Sequence, residues 1–317
     1  MTISTRLGIK AISSYVPTGG LDNYAVAASL GKTSDFVDER IGVSFLPRKS
    51  RSEDTSDLAV SAVRALMLEN PNLAPHGIGA LVVVTQNPDG DGLPHTSAVV
   101  HRKLGLPVSI AAFDVSLGCS GYVYGLYLLS GFLKASGIAD GILVTADPYS
   151  KILDGSNPAT DMLFGDAATA TWIGPDPEWT LGSARFGTDG AGTEHLVTNE
   201  GILHMNGRRV LEFARHKVPT EIAAVLADEG IAPQDVDRFL LHQGSLAVVQ
   251  AIAEQFGSSL AQFPWNAQTL GNTVSSTIPL LLEKVAEEPA VRTVVVCGFG
   301  VGFSWGTAVL RRANACA

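Results

Sequence analysis

Cysteine and charge are both scarce in this 317-residue chain: it has three cysteines, and charged side chains make up 17% of it. Cys119, Cys297 and Cys316 lie far apart with no CxxC spacing. That pattern is neither a disulfide framework nor a zinc ribbon, and it points to a reducing compartment. Acidic residues outnumber basic ones and leave a net charge of −9, which argues against a general affinity for nucleic acid or an anionic membrane. There is no run of about 18 uncharged apolar residues, so no transmembrane helix is expected. The opening MTISTRLGIKAISSYVP has no long apolar stretch of the signal-peptide kind, and a cytoplasmic protein is the expectation. His95, His101, His195, His204 and His216 are scattered without metal-ligand spacing, so no metal is expected.

Apolar residues make up 46% of the chain, enough for a large core and, as a soft prior, about two units of roughly 150 residues. LGIKAISSYVP reads as a strand ended by Pro17. SEDTSDLAVSAVRALMLEN reads as a helix buried through Leu58, Val60, Val63, Leu66 and Met67. IGALVVVTQNPDG and VSIAAFDVSLG read as strands, each followed by a helix, TSAVVHRKLG and SGYVYGLYLLSGFLKASG. GILVTAD, AATATWIG and WTLGSARFGTD continue as strands. Near-continuous apolar strands alternating with helices predict an α/β fold with the strands covered on both faces.

The second half repeats the order. VLEFARHKVPTEIAAVLADEG predicts a helix with a bend at Pro219, VDRFLLHQG a strand, SLAVVQAIAEQFG a helix, and the closing segment a buried strand, a glycine loop and an edge-like strand. The expectation is a duplicated unit, 1–172 and 173–317, packed as one body, with a less regular insertion near 185–207.

Cys119 follows a strand and a glycine and precedes a long helix. It could be an inert buried thiol, the commoner use of a free cysteine. The first-turn N–H groups and the positive helix end would favour the thiolate, and small neighbours leave room for an acyl group. Together these favour a nucleophile. His242 ends the apolar run RFLL, where open α/β sheets place functional residues; alone it would more often be structural. Asn272, in LGNTVSSTIPLLLE, is alone best read as a turn or cap residue. A thiol and two neutral hydrogen-bond donors suit acyl transfer through a thioester. The glycines of VVVCGFGVGFSWG lead into a strand rather than a helix, which excludes a dinucleotide loop and leaves part of an oxyanion hole. Asp161 and Asp166 read as structural turn carboxylates.

The motifs DVSLGCSGYVYGL, FGDAATA, FLLHQGSL, LGNTVSSTIPLLLE and GFGVGFSWGTAVL, in this order across almost the whole chain, resemble the β-ketoacyl synthase III family of thiolase-like condensing enzymes. The resemblance implies a five-layered αβαβα fold made of two related halves, usually a homodimer, with a Cys–His–Asn site at Cys119, His242 and Asn272. It implies that Cys119 takes an acyl group from a thioester, its oxyanion held by the N–H of Cys119 and one from the Gly300–Val301 turn. A malonyl-type thioester then loses carbon dioxide, and His242 and Asn272 hold the enolate that attacks the acyl group. Phe299 resembles an aromatic lining the site, Leu93 a position reaching across the dimer to bound the acyl pocket, and Arg40 an arginine near the tunnel mouth. Coenzyme A or carrier-protein phosphopantetheine thioesters are implied as substrates, with no permanently bound cofactor.

The chain departs from that pattern in its coenzyme A contacts. TSDFVDERIGV lacks the family's adenine-stacking tryptophan, and Pro158, Ala247 and Glu212 replace expected basic residues, while Glu254 stands where lysines are frequent. RRVLEFARHK, 208–217, offers either a substitute basic patch for an acidic carrier protein or a solvated helix face. The departures point to a specialised relative in secondary metabolism. Two other readings stay open: transfer from Cys119 to an alcohol or amine without decarboxylation, and a non-catalytic partner subunit.

Overall fold

The computed structural model describes residues 6–258 and 260–313, so Cys316 lies outside the described residues. Nine strands form the central sheet. In the first half these are β1 (Gly8–Tyr15), β4 (Ala80–Val84), β5 (Ala111–Val115), β6 (Gly141–Ala146) and β7 (Ala168–Gly174). In the second they are β8 (Trp179–Thr188), β11 (Arg238–Leu241), β12 (Thr293–Gly300) and β13 (Ser304–Arg312). Two small ribbons complete the strands: β2 (Gly20–Asp22) with β3 (Phe45–Pro47), and β9 (Leu196–Asn199) with β10 (Ile202–Met205). The helices are α1 (Asn23–Ser29), α2 (Thr55–Glu69), α3 (Thr96–Leu104), α4 (Gly121–Ser136), α5 (Pro158–Asp161), α6 (Gly207–Glu229), α7 (Leu246–Gln255) and α8 (Thr277–Ala286).

The sheet order is β11-β12-β13-β8-β1-β7-β6-β4-β5. Strand pairing repeats across it. In the first half β4–β6 is parallel, and β6–β7 and β7–β1 are antiparallel. In the second, β11–β12 is parallel, and β12–β13 and β13–β8 are antiparallel. The halves meet edge to edge where Gly8 and Ile9 pair with Thr180 and Trp179. We infer from this repeat a duplicated unit divided near residue 172.

Alternation along the strands builds the layers, because successive side chains leave a strand on opposite faces. Leu81 and Val83 of β4 pack outward with Leu58, Val63 and Leu66 of α2 and Val100 of α3. Val82 and Val84 face inward, onto a middle layer of α4 and α8 that also takes Val294 and Val296 of β12. Val295 and Cys297 point to the far side, against α6 and α7. The result is the α/β, thiolase-like αβαβα arrangement, with α4 and α8 between the two half-sheets.

Two expectations are corrected. β13 is not an edge strand, since it hydrogen-bonds to β12 on one side and β8 on the other. The segment near 185–207 is not irregular: it contains the end of β8 and the β9–β10 hairpin, turned by Glu200 and Gly201 at φ 51° and 80°. Helix α6 runs on through Pro219, the residue at which a bend is expected. Proline removes one N–H from the helix ladder, and the Arg215 carbonyl it would have served accepts a hydrogen bond from Gln255 Nε2 at 2.7 Å.

Candidate active site

Cys119 lies in the short turn between β5 and the first residue of α4. Ser120 Oγ and Ser304 Oγ are 2.7 Å apart and tie that turn to the start of β13. The end of β12 runs directly against the cysteine: a Cβ at Gly300 would come within 2.7 Å of the Cys119 sulfur, so only glycine fits. The backbone N–H groups of Val301 and of Cys119 itself face the sulfur.

His242 is the first residue after β11, and its N–H donates to the Cys297 carbonyl at 2.9 Å, extending the ladder at the C-terminal end of the strand. Its Nδ1 is 2.9 Å from Thr277 Oγ1, and the Thr277 hydroxyl is 3.0 Å from the Val274 carbonyl. The ring stands edge-on to Phe299, with centroids 5.6 Å apart. Asn272 is held by its backbone on both sides, donating N–H to Leu163 O at 2.8 Å and accepting from Gly165 N at 3.1 Å. Its Oδ1 accepts from Val274 N–H at 2.9 Å, which leaves the amide nitrogen as the free end. Val274 has a φ of 54°, a left-handed conformation that a β-branched residue rarely adopts. Holding the Asn272 side chain is what that backbone turn accomplishes.

These three side chains meet. Cys119, His242 and Asn272 all line one cavity of about 260 Å³, with Phe299 and Gly300 in its wall and the exposed Arg40 at its rim. Leu93 does not join them: it is 92% exposed and lies outside the cavity of its own chain. Asp161 and Asp166 are turn carboxylates, accepting from Asn157 N–H and from Lys49 N–H. Among the described residues no group of histidines, cysteines and carboxylates could hold a metal.

Electrostatics depart from the sequence reading. A helix start favours the thiolate, but burial pushes the Cys119 thiol up to about 12, with the Asp147 carboxylate adding to the rise. Burial also lowers His242 to about 3, against a partial offset from a hydrogen bond to the Val274 backbone. The resting pair is therefore a neutral thiol and a neutral imidazole.

Sequence reasoning missed Thr277, Tyr149 and Asp147. Asp147 follows β6, and a carboxylate just past a strand's C-terminal end was the available signal. Its Oδ1 accepts from Asn87 Nδ2 at 2.8 Å and Gln86 N–H at 3.1 Å, while Oδ2 has no partner. Burial raises this carboxyl from 3.8 to about 7. A raised pKa means that the folded protein holds the proton more tightly, so the stabilisation present at low pH is lost as pH rises through 7. About three pH units correspond to roughly 4 kcal/mol. Asp147→Asn is expected to gain stability relative to the parent between pH 4 and pH 8, read from denaturant unfolding at both. A pH-independent difference would contradict the assignment.

Two family models match the chain: 3-oxoacyl-[acyl-carrier-protein (ACP)] synthase III over residues 113–190, and the C-terminal region of the same family over 226–312. The chain is 32% identical to β-ketoacyl-[acyl-carrier-protein] synthase III of Clostridium acetobutylicum, across 94% of this chain and 96% of that protein. It is 31% identical to the protein of that name from Oceanobacillus iheyensis, across 96% and 99%. Among solved structures, a β-ketoacyl-[acyl carrier protein] synthase III from Thermus thermophilus superposes with a TM-score of 0.89 at 31% identity, covering 97% of this chain and all of that one.

Proposed function

The chain belongs to the 3-oxoacyl-[acyl-carrier-protein] synthase III family of condensing enzymes, and from that premise we propose how Cys119, His242 and Asn272 divide the reaction. The enzyme is an acyltransferase that performs a decarboxylative Claisen condensation. The observation that carries the assignment is the convergence of one thiol, one imidazole and one carboxamide on a single cavity.

In the loading step the Cys119 sulfur bonds to the carbonyl carbon of an acyl thioester while its proton passes to His242 Nε2. The N–H groups of Cys119 and Val301 hold the oxyanion. Collapse breaks the bond to the first thiol, which leaves with the proton from His242. A malonyl-type thioester then enters, and its carboxylate departs as carbon dioxide, leaving the electron pair as an enolate. Asn272 Nδ2 and His242 Nε2 donate to the enolate oxygen, where charge develops only as the carboxylate leaves. The enolate carbon bonds to the acyl carbon, the bond to Cys119 breaks, and the thiolate regains a proton from solvent.

His242 thus needs Nε2 as acceptor in the first step and donor in the second. Thr277 serves both: its hydroxyl can accept from Nδ1–H while donating to the Val274 carbonyl, or turn and donate to Nδ1. Thr277→Val leaves the Val274 carbonyl as the partner of Nδ1–H and holds Nε2 as an acceptor. Condensation is expected to fall about tenfold while loading persists, with Thr277→Ser restoring it. Equal losses in both steps would reduce Thr277 to a packing residue.

Delivery by coenzyme A or by carrier-protein phosphopantetheine is part of this reading. The α6 basic run offers limited support for carrier docking, because Arg209 pairs with Glu212 at 3.0 Å and Lys217 with Glu221 at 2.7 Å. A homodimer is supported by the free edge of β5 and by the exposed Leu93 and Val108. A cytoplasmic setting rests on the few, widely spaced cysteines; no described helix is long and apolar enough to cross a membrane. The altered coenzyme A contacts favour a role in secondary metabolism. The deciding experiment follows carbon dioxide and product from an acyl-CoA plus malonyl thioester. Carbon dioxide released in step with a β-ketoacyl product is expected; an ester or amide formed without it would favour transfer to an alcohol or amine.

A further inference from the structure

A second cavity, of about 290 Å³, shares the Tyr149 and Leu196 walls of the first and is lined by Val301, whose N–H faces the Cys119 sulfur. Resting on the reading that Cys119 carries an acyl group, this cavity is where that group would extend. Its wall is mixed: Ile152 and Leu203 are apolar, while Gln86, Tyr149 and Ser116 are polar.

Gln86 is the informative residue. Its side chain lies over Gly118, the neighbour of the nucleophile, so closely that any Cβ there would strike Oε1. The Tyr149 hydroxyl donates to that Oε1 at 3.1 Å, which turns Nε2 the other way with no protein partner among the described residues. An acyl group made only of hydrocarbon would cover this donor and strand it, at the cost of an unmade hydrogen bond. Charge narrows the choice further. No lysine or arginine is among the residues lining this cavity, so a carboxylate on the acyl group would be buried there without a basic partner. An ammonium group would meet Gln86 Nε2 donor to donor. A neutral hydroxyl can accept from Nε2 and donate to the Tyr149 oxygen.

We propose that the acyl group loaded on Cys119 is a short one bearing a hydroxyl on its second or third carbon, held by Gln86 and Tyr149.

The test is competitive loading from equal amounts of butyryl-CoA and either 2-hydroxybutyryl-CoA or 3-hydroxybutyryl-CoA, each enantiomer separately, with the Cys119 adducts read by intact-protein mass spectrometry. The hydroxyacyl adduct is expected to lead by about tenfold for one enantiomer, the scale of one hydrogen bond. Gln86→Leu is expected to remove that lead, and Tyr149→Phe, which frees the Gln86 amide from its anchor, to reduce it. A butyryl adduct that equals or exceeds every hydroxyacyl adduct in the parent overturns this inference alone. An unchanged ratio in both variants overturns it as well. No adduct from any donor overturns the loading reading, and this inference with it.

Discussion

Cys119→Ala is expected to take up no acyl group from any thioester, with condensation reduced on the order of 10⁴-fold or more, the scale seen when a nucleophile is removed. The argument rests on position and on neighbours. No other cysteine among the described residues can substitute, because Cys297 is fully buried beside Thr307 Oγ1, on the far face of β12. The change removes a single sulfur from a residue that is already almost completely buried, so the fold should persist. Decarboxylation of the malonyl thioester should survive, since Asn272 and His242 remain to hold the enolate. Intact-mass measurement and carbon dioxide release, made on one preparation, separate these outcomes. An acyl adduct on the variant would show that another residue is the nucleophile. Loss of decarboxylation along with loading would mean that the enolate site depends on the thiol.

Asn272→Asp probes the second half-reaction. The two side chains have the same shape, and Oδ1 can still accept from Val274 N–H. The free end changes from a donor to an oxygen that, when ionised, repels the negative charge forming on the enolate. Removing one such donor costs about 10²–10³-fold, and that loss is expected in condensation while acyl loading stays within a few-fold. A pH signature comes with it. Asn272 is buried, and burial favours the neutral form of a carboxyl placed there. Since a protonated carboxyl is again a donor, activity of the variant should recover as pH falls. A variant equally impaired at every pH, or one impaired in loading, would remove Asn272 from the enolate site.

Much of this site is legible in the chain without its fold. The α/β class follows from apolar runs such as ALVVV and TVVVC, because a strand covered on both faces needs apolar side chains at every position. Cys119 and His242 stand out for a related reason: each interrupts the pattern just past a strand, where parallel sheets open their functional end. β13 misleads, since SWGTAVLRR ends in arginines as an exposed edge does, yet only its last two residues escape burial. The hairpin at 196–205 is also unreadable, because its side chains find their partners around Cys119 and Val274 rather than along the segment itself.

The order of elements, the fold class and the identity of the reacting groups were therefore set by local pattern: residue period, glycine placement and the chemistry of individual side chains. Whether those groups meet was decided only in three dimensions, where β5, β11 and the 271–276 turn bring residues 119, 242 and 272 to one cavity. Their protonation was decided there too. Desolvation depends on what surrounds a group, and so the helix start that favours a thiolate in the sequence is outweighed by the burial of Cys119 beside Asp147.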